Sequence, residues 1–424
     1  MIRHLASLLV FFSQFSFAEP AVDLDRLSIE QAIRIAIDRN HDLRLSKIAV
    51  NNALAAKLMA SQGPNPTLTV QTFNINSKVG FRGGSLRDKN VDSTFRVDQL
   101  IERGGKLELR VENSTYLEDA AHNDLHDVLR QLRVSVSQSY YDLLAGEEKL
   151  SITRQAALLF DSTVVAAQKR LKAGDIANSD VARLQVDALR AQNDVAQAGA
   201  DLFRVRQALA GTLGQAAYAE QIKLIDTWPV TQVTTSALSE NLIEQRPDVL
   251  AAKARLNASV AAQKLALAAR TRDISVGLQY EHYPITKVNP QGSGNSYGVA
   301  IQIPLFVRHQ FEGEIRVAES AVDTAQENLE KTRDIARIDL MKNWEDARTA
   351  FERIKRYDEN VLPAAKKSAD AAEFAFKHGA LGVMDVLDIR RTYRATQLDA
   401  LAARAEYAKS LAAWQAAISE ANIP

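Results

Sequence analysis

No cysteine occurs among the 424 residues. The chain therefore has no disulfide to staple a small fold, no thiolate to hold a metal, and no cysteine to carry a lipid. Excess charge is missing too. The 52 Lys and Arg balance 52 Asp and Glu, so there is no basic stripe of the kind that nucleic-acid binding leaves. Aromatic residues make up only 6% and Ala is abundant, a composition suited to closely packed helices rather than a bulky core. Beyond the N-terminus no run reaches the ~20 apolar residues of a membrane-spanning helix. A phosphate-binding glycine loop, a nucleophile elbow and a zinc-protease motif are all absent, so nothing points to an enzyme and no cofactor is expected.

The N-terminus stands apart. Arg3 precedes a mostly apolar stretch from Leu5 to Phe17, and Ser16-Phe17-Ala18 precedes Glu19-Pro20. Residues 1–18 have the form of a secretory signal peptide cleaved after Ala18.

What the chain does have is repetition. Lys172, Gly174, Asp180 and Val181 of KAGDIANSDVARLQV recur as Lys377, Gly379, Asp385 and Val386 of KHGALGVMDVLDIRR, 205 residues later. Asn40-His41-Asp42-Leu43 matches Arg246-Pro247-Asp248-Val249, Leu68 and Val70 match Ile274 and Val276, and Glu108-Leu109-Arg110-Val111 matches Glu314-Ile315-Arg316-Val317, all at an offset of 206. A single insertion accounts for the drift. The pattern is that of a tandem duplication, with residues 19–211 and 238–424 as the repeats. Residues 212–237, which include Trp228-Pro229, form the connector.

Each repeat orders its parts alike. A helix of roughly 35 residues (29–62; 238–270) leads into two short alternating runs around a polar loop. A helix of roughly 65 residues (106–172; 310–377) follows, then the glycine motif, then a second shorter helix (178–213; 384–419). At 1.5 Å per residue the long helix reaches ~100 Å, and two short helices laid end to end match it. Steps of three and four link Val181, Leu184, Ala188, Ala191, Val195, Ala198, Leu202, Val205 and Leu209. The same steps link Leu340, Trp344, Ala347, Phe351, Ile354, Asp358 and Val361, and this is coiled-coil seam spacing. Pro363 is expected to kink the second long helix. Asn178 or Ser179 is expected to cap the helix that follows the first glycine motif.

The alternating runs carry a different message. The segment from Ile274 to His282 alternates strictly, and Tyr297, Val299, Ile301, Ile303 and Leu305 alternate with Gly298, Ala300 and Gln302. In the first repeat Leu68, Val70 and Thr72 alternate with Thr69 and Gln71, and Phe95-Arg96-Val97-Asp98 follows more weakly. Runs of ~10 residues with one polar face have the form of transmembrane barrel strands, and a soluble hairpin with one buried face has the same form. Four strands cannot close a membrane barrel, whose minimum is about eight, and lipid does not tolerate an open edge. A barrel would need further copies of the chain, and two, three or more all satisfy the pattern.

These residues resemble the TolC-like outer-membrane efflux channels over essentially the whole chain. The most specific segments are Gln99-Leu-Ile-Glu-Arg-Gly-Gly-Lys106, Pro304-Leu305-Phe306, and Gly379 with Met384-Asp385-Val386-Leu387-Asp388. The first of them is most similar to the CzcC-like heavy-metal efflux branch. The resemblance implies an α-helical plus transmembrane β-barrel fold: a homotrimer forming a twelve-stranded barrel in the outer membrane of a Gram-negative bacterium, with a helical tunnel reaching into the periplasm. It further implies a periplasmic adaptor protein and a proton-driven inner-membrane pump as partners, and a conduit rather than a catalyst. A drug-efflux or protein-secretion channel of the same fold, or a periplasmic coiled-coil protein without a barrel, are the other readings.

Site residues follow from the same resemblance. Gly174, Asp180 and Gly379 would lie at periplasmic tips that meet the adaptor, although a plain interhelical turn also accounts for the glycines. Asp385 and Asp388, three apart on one helix face, match positions that point into the tunnel near its closed end. Phe376 and Leu381 depart from the polar gate-locking residues of some relatives, with Asp175 and Arg183 as replacements by position. His122 and His126 are four apart beside Glu118 and Asp119, a spacing that can present two imidazoles to a metal, although a solvated helix face is the favoured reading. The loop from Ser77 to Asn90, with Lys78, Arg82, Arg87 and Lys89, would face outside the cell, near lipopolysaccharide or simply solvent.

Overall fold

The structure is a computed structural model that describes residues 24–75, 91–230, 240–285 and 293–418. The expected signal peptide, the loop at 77–90 except its neighbours in the strands, and connector residues 231–237 lie outside the described residues.

Helices dominate. The first repeat runs α1 (Ile29–Arg39), α2 (His41–Ala60), β1 (Thr67–Phe73), β2 (Asp92–Ile101), α3 (Lys106–Lys172) and α4 (Asn178–Thr212). The second runs α5 (Glu240–Glu244), α6 (Pro247–Ala268), β3 (Ile274–Tyr283), β4 (Gly294–Gln302), α7 (Glu312–Arg356), α8 (Leu362–Lys377) and α9 (Val383–Ile418). The four strands form one antiparallel sheet in chain order, so β2 and β3 join the repeats and β1 and β4 are free edges. Above the sheet the helices follow the same order, with α2 on α3, α3 on α6 and α6 on α7. Further along, α4 packs on α3, α3 on α9, and α9 on both α7 and α8.

The expected leading helices are each broken in two. Asn40 interrupts the first: its backbone is extended, and its side chain accepts from the amides of Asp42 and Leu43 at 2.9 and 3.1 Å. An N-cap that satisfies two orphan donors makes a new start cheaper than continuation. Arg246 with Pro247 makes the matching break in the second repeat. The helix after the first glycine motif is not capped as expected either. Ala177 occupies the cap position with no side-chain bond, and Asn178 and Ser179 already lie inside α4. Pro363 does disturb the second long helix, but as a widened turn over Tyr357–Val361, where the Leu362 amide reaches Tyr357. A proline has no amide to offer the preceding turn, and the π-type turn absorbs the mismatch.

The coiled-coil seams are where the spacing placed them, except that the second stops at Ile354: Asp358 and Val361, expected to continue it, are exposed in the widened turn. Val181, Leu184, Ala188, Ala191, Ala198, Leu202 and Leu209 are buried, as are Leu340, Ala347 and Ile354. One core cluster gathers α1, α3, α4 and the connector around Tyr140 and Leu27. There the Tyr140 hydroxyl bonds the Leu27 carbonyl and the Asp226 carboxylate, both at 2.9 Å. Burial pushes the Tyr140 phenol well above its ordinary range, and bonding to Asp226 adds to the shift. A second cluster lies at the glycine-motif end and unites α3 and α4 with α8 and α9.

Candidate functional site

The sheet register sorts its residues into two faces of opposite chemistry. On one face, Leu68, Val97, Leu278 and Val299 stand in a row across all four strands, and Val70, Phe95, Tyr280 and Tyr297 stand in the next. Ile101 pairs with Ile274, and Val276 with Ile301, on the same face. Most of these side chains are left exposed, Val299 by 72% and Tyr297 by 84%, while Ile274, Val276 and Tyr280 are half-buried. Water does not favour so much contiguous apolar area, but hydrocarbon does. Phe95, Tyr280 and Tyr297 form an aromatic row with ring centroids 6.3 and 5.5 Å apart, and beyond them the row Thr72, Ser93, His282, Asn295 is polar. That sequence of apolar, aromatic and polar rows is the profile of a barrel wall at a membrane surface.

The opposite face is polar. Thr69, Arg96, Gln279 and Gly298 share a row, as do Gln71, Thr94, Glu281 and Ser296. Arg96 donates to Asp98 at 2.7 and 2.9 Å. Gly277 leaves room for this pair, since a Cβ there would sit 2.4 Å from Asp98 Oδ1 and push the two side chains aside.

Where strands turn into helices, the motif from Gln99 to Lys106 shows its purpose. Gln99 donates to the Pro64 carbonyl at 3.0 Å, and Glu102 is gripped by Arg110 at 2.5 and 2.9 Å. Gly104 and Gly105 both take positive φ, 77° and 70°, which lets the chain reverse into α3. Lys106 then crosses to the second repeat, donating to Asp273 and to the Thr271 carbonyl at 2.8 Å. Burial alone would raise the Asp273 pKa, but the Lys106 bond and the Arg103 amide prevail and hold it below the usual carboxylate range. In the second repeat the place of Gly105 is taken by Phe311, also at positive φ, 62°. Its ring packs edge-on to Phe306 at 5.1 Å and against His309 at 4.7 Å.

At the far end both glycine motifs are interhelical turns. Gly174 and Gly379 adopt φ of 81° and 74°, and a Cβ at either would meet nothing within 4 Å. The backbone hand, and not space, selects glycine there. The Asp175 amide reaches the Arg170 carbonyl at 2.9 Å and the Ala380 amide reaches Ala375 at 2.8 Å, so both ends close alike. Asp180 sits half-buried in the first turn of α4. Asp385 and Asp388 are exposed on α9, while Val383, Val386 and Leu387 turn into the tip core. Phe376 is buried there beneath the Arg170 guanidinium, 5.5 Å from its ring, and Leu381 packs against the same cluster. Asp175 and Arg183 are exposed at and beyond the first turn.

One group at this end was not among the sequence-selected residues. Arg390 donates to Thr163 and lies 3.7 Å from Glu373, Arg391 grips the buried Asp187 at 2.5 Å, and Arg394 pairs with Asp194. Together they tie α9 of the second repeat to α3 and α4 of the first, and to α8. Burial lowers the Arg390 pKa, with Glu373 opposing. Asp187 and Asp194 lie one heptad apart on α4 while their partners Arg391 and Arg394 are only three apart on α9, so no matching period in the sequence announced the pairs.

His122 is exposed on α3 and His126 half-buried one turn on. Burial, then the neighbouring His122, lowers the His126 pKa. Glu118, the adjacent carboxylate, is occupied by Lys57 at 2.7 Å. Among the described residues no group of three or more His, Asp or Glu is arranged to hold a metal.

A two-faced sheet with open edges, continued by long helices to paired interhelical turns, is the geometry of a channel segment. The Outer membrane efflux protein family profile matches residues 32–215 and again 238–420. The chain belongs to this family. It is an outer-membrane efflux channel with a large periplasmic portion, a transport protein and not an enzyme. Channels of the family are trimers that work with a periplasmic adaptor and an inner-membrane pump. The cobalt-zinc-cadmium resistance protein CzcC of Cupriavidus metallidurans is 25% identical over 370 residues, 86% of this chain and 84% of that one. The pyoverdine export outer membrane protein OpmQ of Pseudomonas putida is 23% identical over 430 residues, 95% of this chain and 86% of that one. A crystal structure of the CusC channel matches with a TM-score of 0.76 at 20% identity, covering 92% of this chain and 91% of that one.

Proposed function

We propose that three copies of this efflux channel close one conduit, and that it passes heavy-metal cations received from an adaptor and pump. The family's trimeric state suggests the number of copies, and the observation that carries closure by further copies is that the protomer is incomplete at the same two edges throughout its length. The edge strands β1 and β4 leave backbone groups that lipid cannot satisfy. The flanking helices agree. Leu45, Ile48 and Leu58 on α2 are 53–63% exposed, and Val317, Ile338 and Met341 on α7 are 54–72% exposed. Nearer the tip, Leu189 of α4 and Phe374 of α8 are 60% and 66% exposed. Placing α7 and β4 of one copy beside α2 and β1 of the next would cover both sets.

In that assembly the turns at Gly174 and Gly379, with Asp180, would meet the adaptor, and Asp385 with Asp388 would line the constriction. The likeness to CzcC and the Gln99–Lys106 motif favour a metal cation as cargo. The likeness to OpmQ, longer in extent, favours an organic cargo as the second reading. Deletion of the gene decides between them when growth is compared across zinc, cadmium, cobalt, nickel, copper, silver and common drugs. Loss of tolerance confined to one or more metals, restored by the intact gene, is the expected result. Loss confined to organic compounds would overturn the metal reading and leave the channel reading in place.

A further inference from the structure

We propose that the periplasmic rim of the barrel wall is a binding collar for the anionic phosphate headgroups of phospholipid in the adjoining membrane leaflet. The proposal rests on the membrane-facing wall and not on the identity of the cargo.

The register carries the argument. Ile101 and Ile274 are paired on the apolar face and are the last strand residues there. Two residues beyond each, at the next position of the same alternation, come Arg103 and Arg272. In the segment that follows β4, Leu305 and Val307 are exposed by 72% and 80%, and Arg308 comes next in the chain. Apolar surface thus gives way to guanidinium groups at one level on β2 and β3, and Arg308 follows in the segment beyond β4. The other end of the same face ends in Thr72, Ser93, His282 and Asn295, with no arginine or lysine in that row.

The arginines of the rim are not held in ion pairs, although Arg270 donates to the Gln310 carbonyl at 3.1 Å. Among the described residues, Arg103, Arg270, Arg272 and Arg308 have no carboxylate within ion-pair distance. The nearby acids are engaged elsewhere, Glu102 by Arg110, Asp273 by Lys106 and Glu314 by His309. Arg272 instead lies over the Phe306 ring at 5.7 Å, in contact with the Phe306, His309 and Phe311 group. Aromatic rings with cationic side chains beside a hydrocarbon-facing surface are the pattern of a membrane interface. A guanidinium offers a planar donor fork that matches a phosphate. A zwitterionic headgroup supplies the same phosphate but cancels the attraction with its own cation, so the collar should discriminate between the two.

The test uses the full-length purified channel in detergent. It is titrated with phosphatidylglycerol or with phosphatidylcholine, and bound lipid is counted by native mass spectrometry. The expected result is retention of phosphatidylglycerol about five-fold tighter or more. The variant carrying Arg103→Gln, Arg272→Gln and Arg308→Gln should bring the two lipids within about two-fold. Equal retention by the wild type, or an undiminished preference in the variant, would overturn the proposal. Should the variant not assemble, salt answers on the wild type. The preference should fall steeply between low salt and ~0.5 M as screening shortens the reach of the arginines, and persistence at high salt sinks the idea.

Discussion

Lys106 and Asp273 illustrate how much one pair can do in a chain of such length. The lysine ends the Gln99–Lys106 motif of the first repeat and the aspartate opens β3 of the second. Their bond fixes the two hairpins where sheet gives way to helix. Both side chains are largely buried, 12% and 24% exposed, so removing one leaves the other poorly solvated. Lys106→Met is expected to cost about 2 kcal/mol, read as a lower unfolding midpoint in detergent at neutral pH. The pH dependence has a definite sign. The Asp273 pKa is lowered in the fold, so its contribution is complete above the ordinary carboxylate range and is lost as pH falls through the folded value. The gap between wild type and Lys106→Met should therefore shrink below about pH 4. A gap that stays constant to pH 3, or one that is absent at pH 7, would refute the role of the pair. Phe311 shows the complementary case: the site that glycine fills in the first repeat is held at positive φ by an aromatic that packs on Phe306 and His309.

Among the elements, the long helices and the strands were legible because each carries a local period. The helix over 106–172 and the strand starting at Ile274 lie where alternation and seam spacing put them. What was not legible was set by single residues or by distant partners. The Asn40 break depends on one side chain capping two amides, and the same four residues were informative in the sequence only as a repeat marker. The arginines of α9 find Asp187 and Asp194 some 204 and 200 residues away, a pairing no local pattern encodes. The tips fall between these cases. Their glycines were visible, and the turn geometry adds that nothing crowds either one. Gly174→Glu and Gly379→Glu should therefore cost only the backbone strain of a non-glycine residue at positive φ, about 1–2 kcal/mol. Outer-membrane oligomers should persist while efflux, measured as metal tolerance, is lost through failed adaptor docking. Normal tolerance in both variants would remove the docking role from these turns.

For the whole molecule, closure by three copies turns single side chains into rings. Cross-linking in detergent should give trimers as the largest abundant species, and a ladder ending at dimers would contradict closure. In the proposed channel the rings at the constriction are those of Asp385 and Asp388. The core side of α9 is occupied by Val383, Val386 and Leu387, which leaves both carboxylates on its solvent side. A more modest account exists for one of them: Asp385 lies in the first turn of α9, where a negative charge suits the helix N-terminus, and its carboxylate folds back toward Gly382. The two accounts differ in what a cation does. Carboxylates from three chains at a constriction repel one another, and a polyvalent cation between them relieves that repulsion. Such a ring also favours cations in transit. Conductance in planar bilayers should therefore be cation-selective and be blocked by a trivalent cation added on the periplasmic side. Asp385→Asn with Asp388→Asn should relieve the block at least ten-fold in blocker concentration and weaken the cation preference. A helix-end role predicts a slightly less stable α9 and an unchanged block. Equal block in wild type and double variant would move the constriction away from these residues and leave Asp385 as a helix-terminal charge.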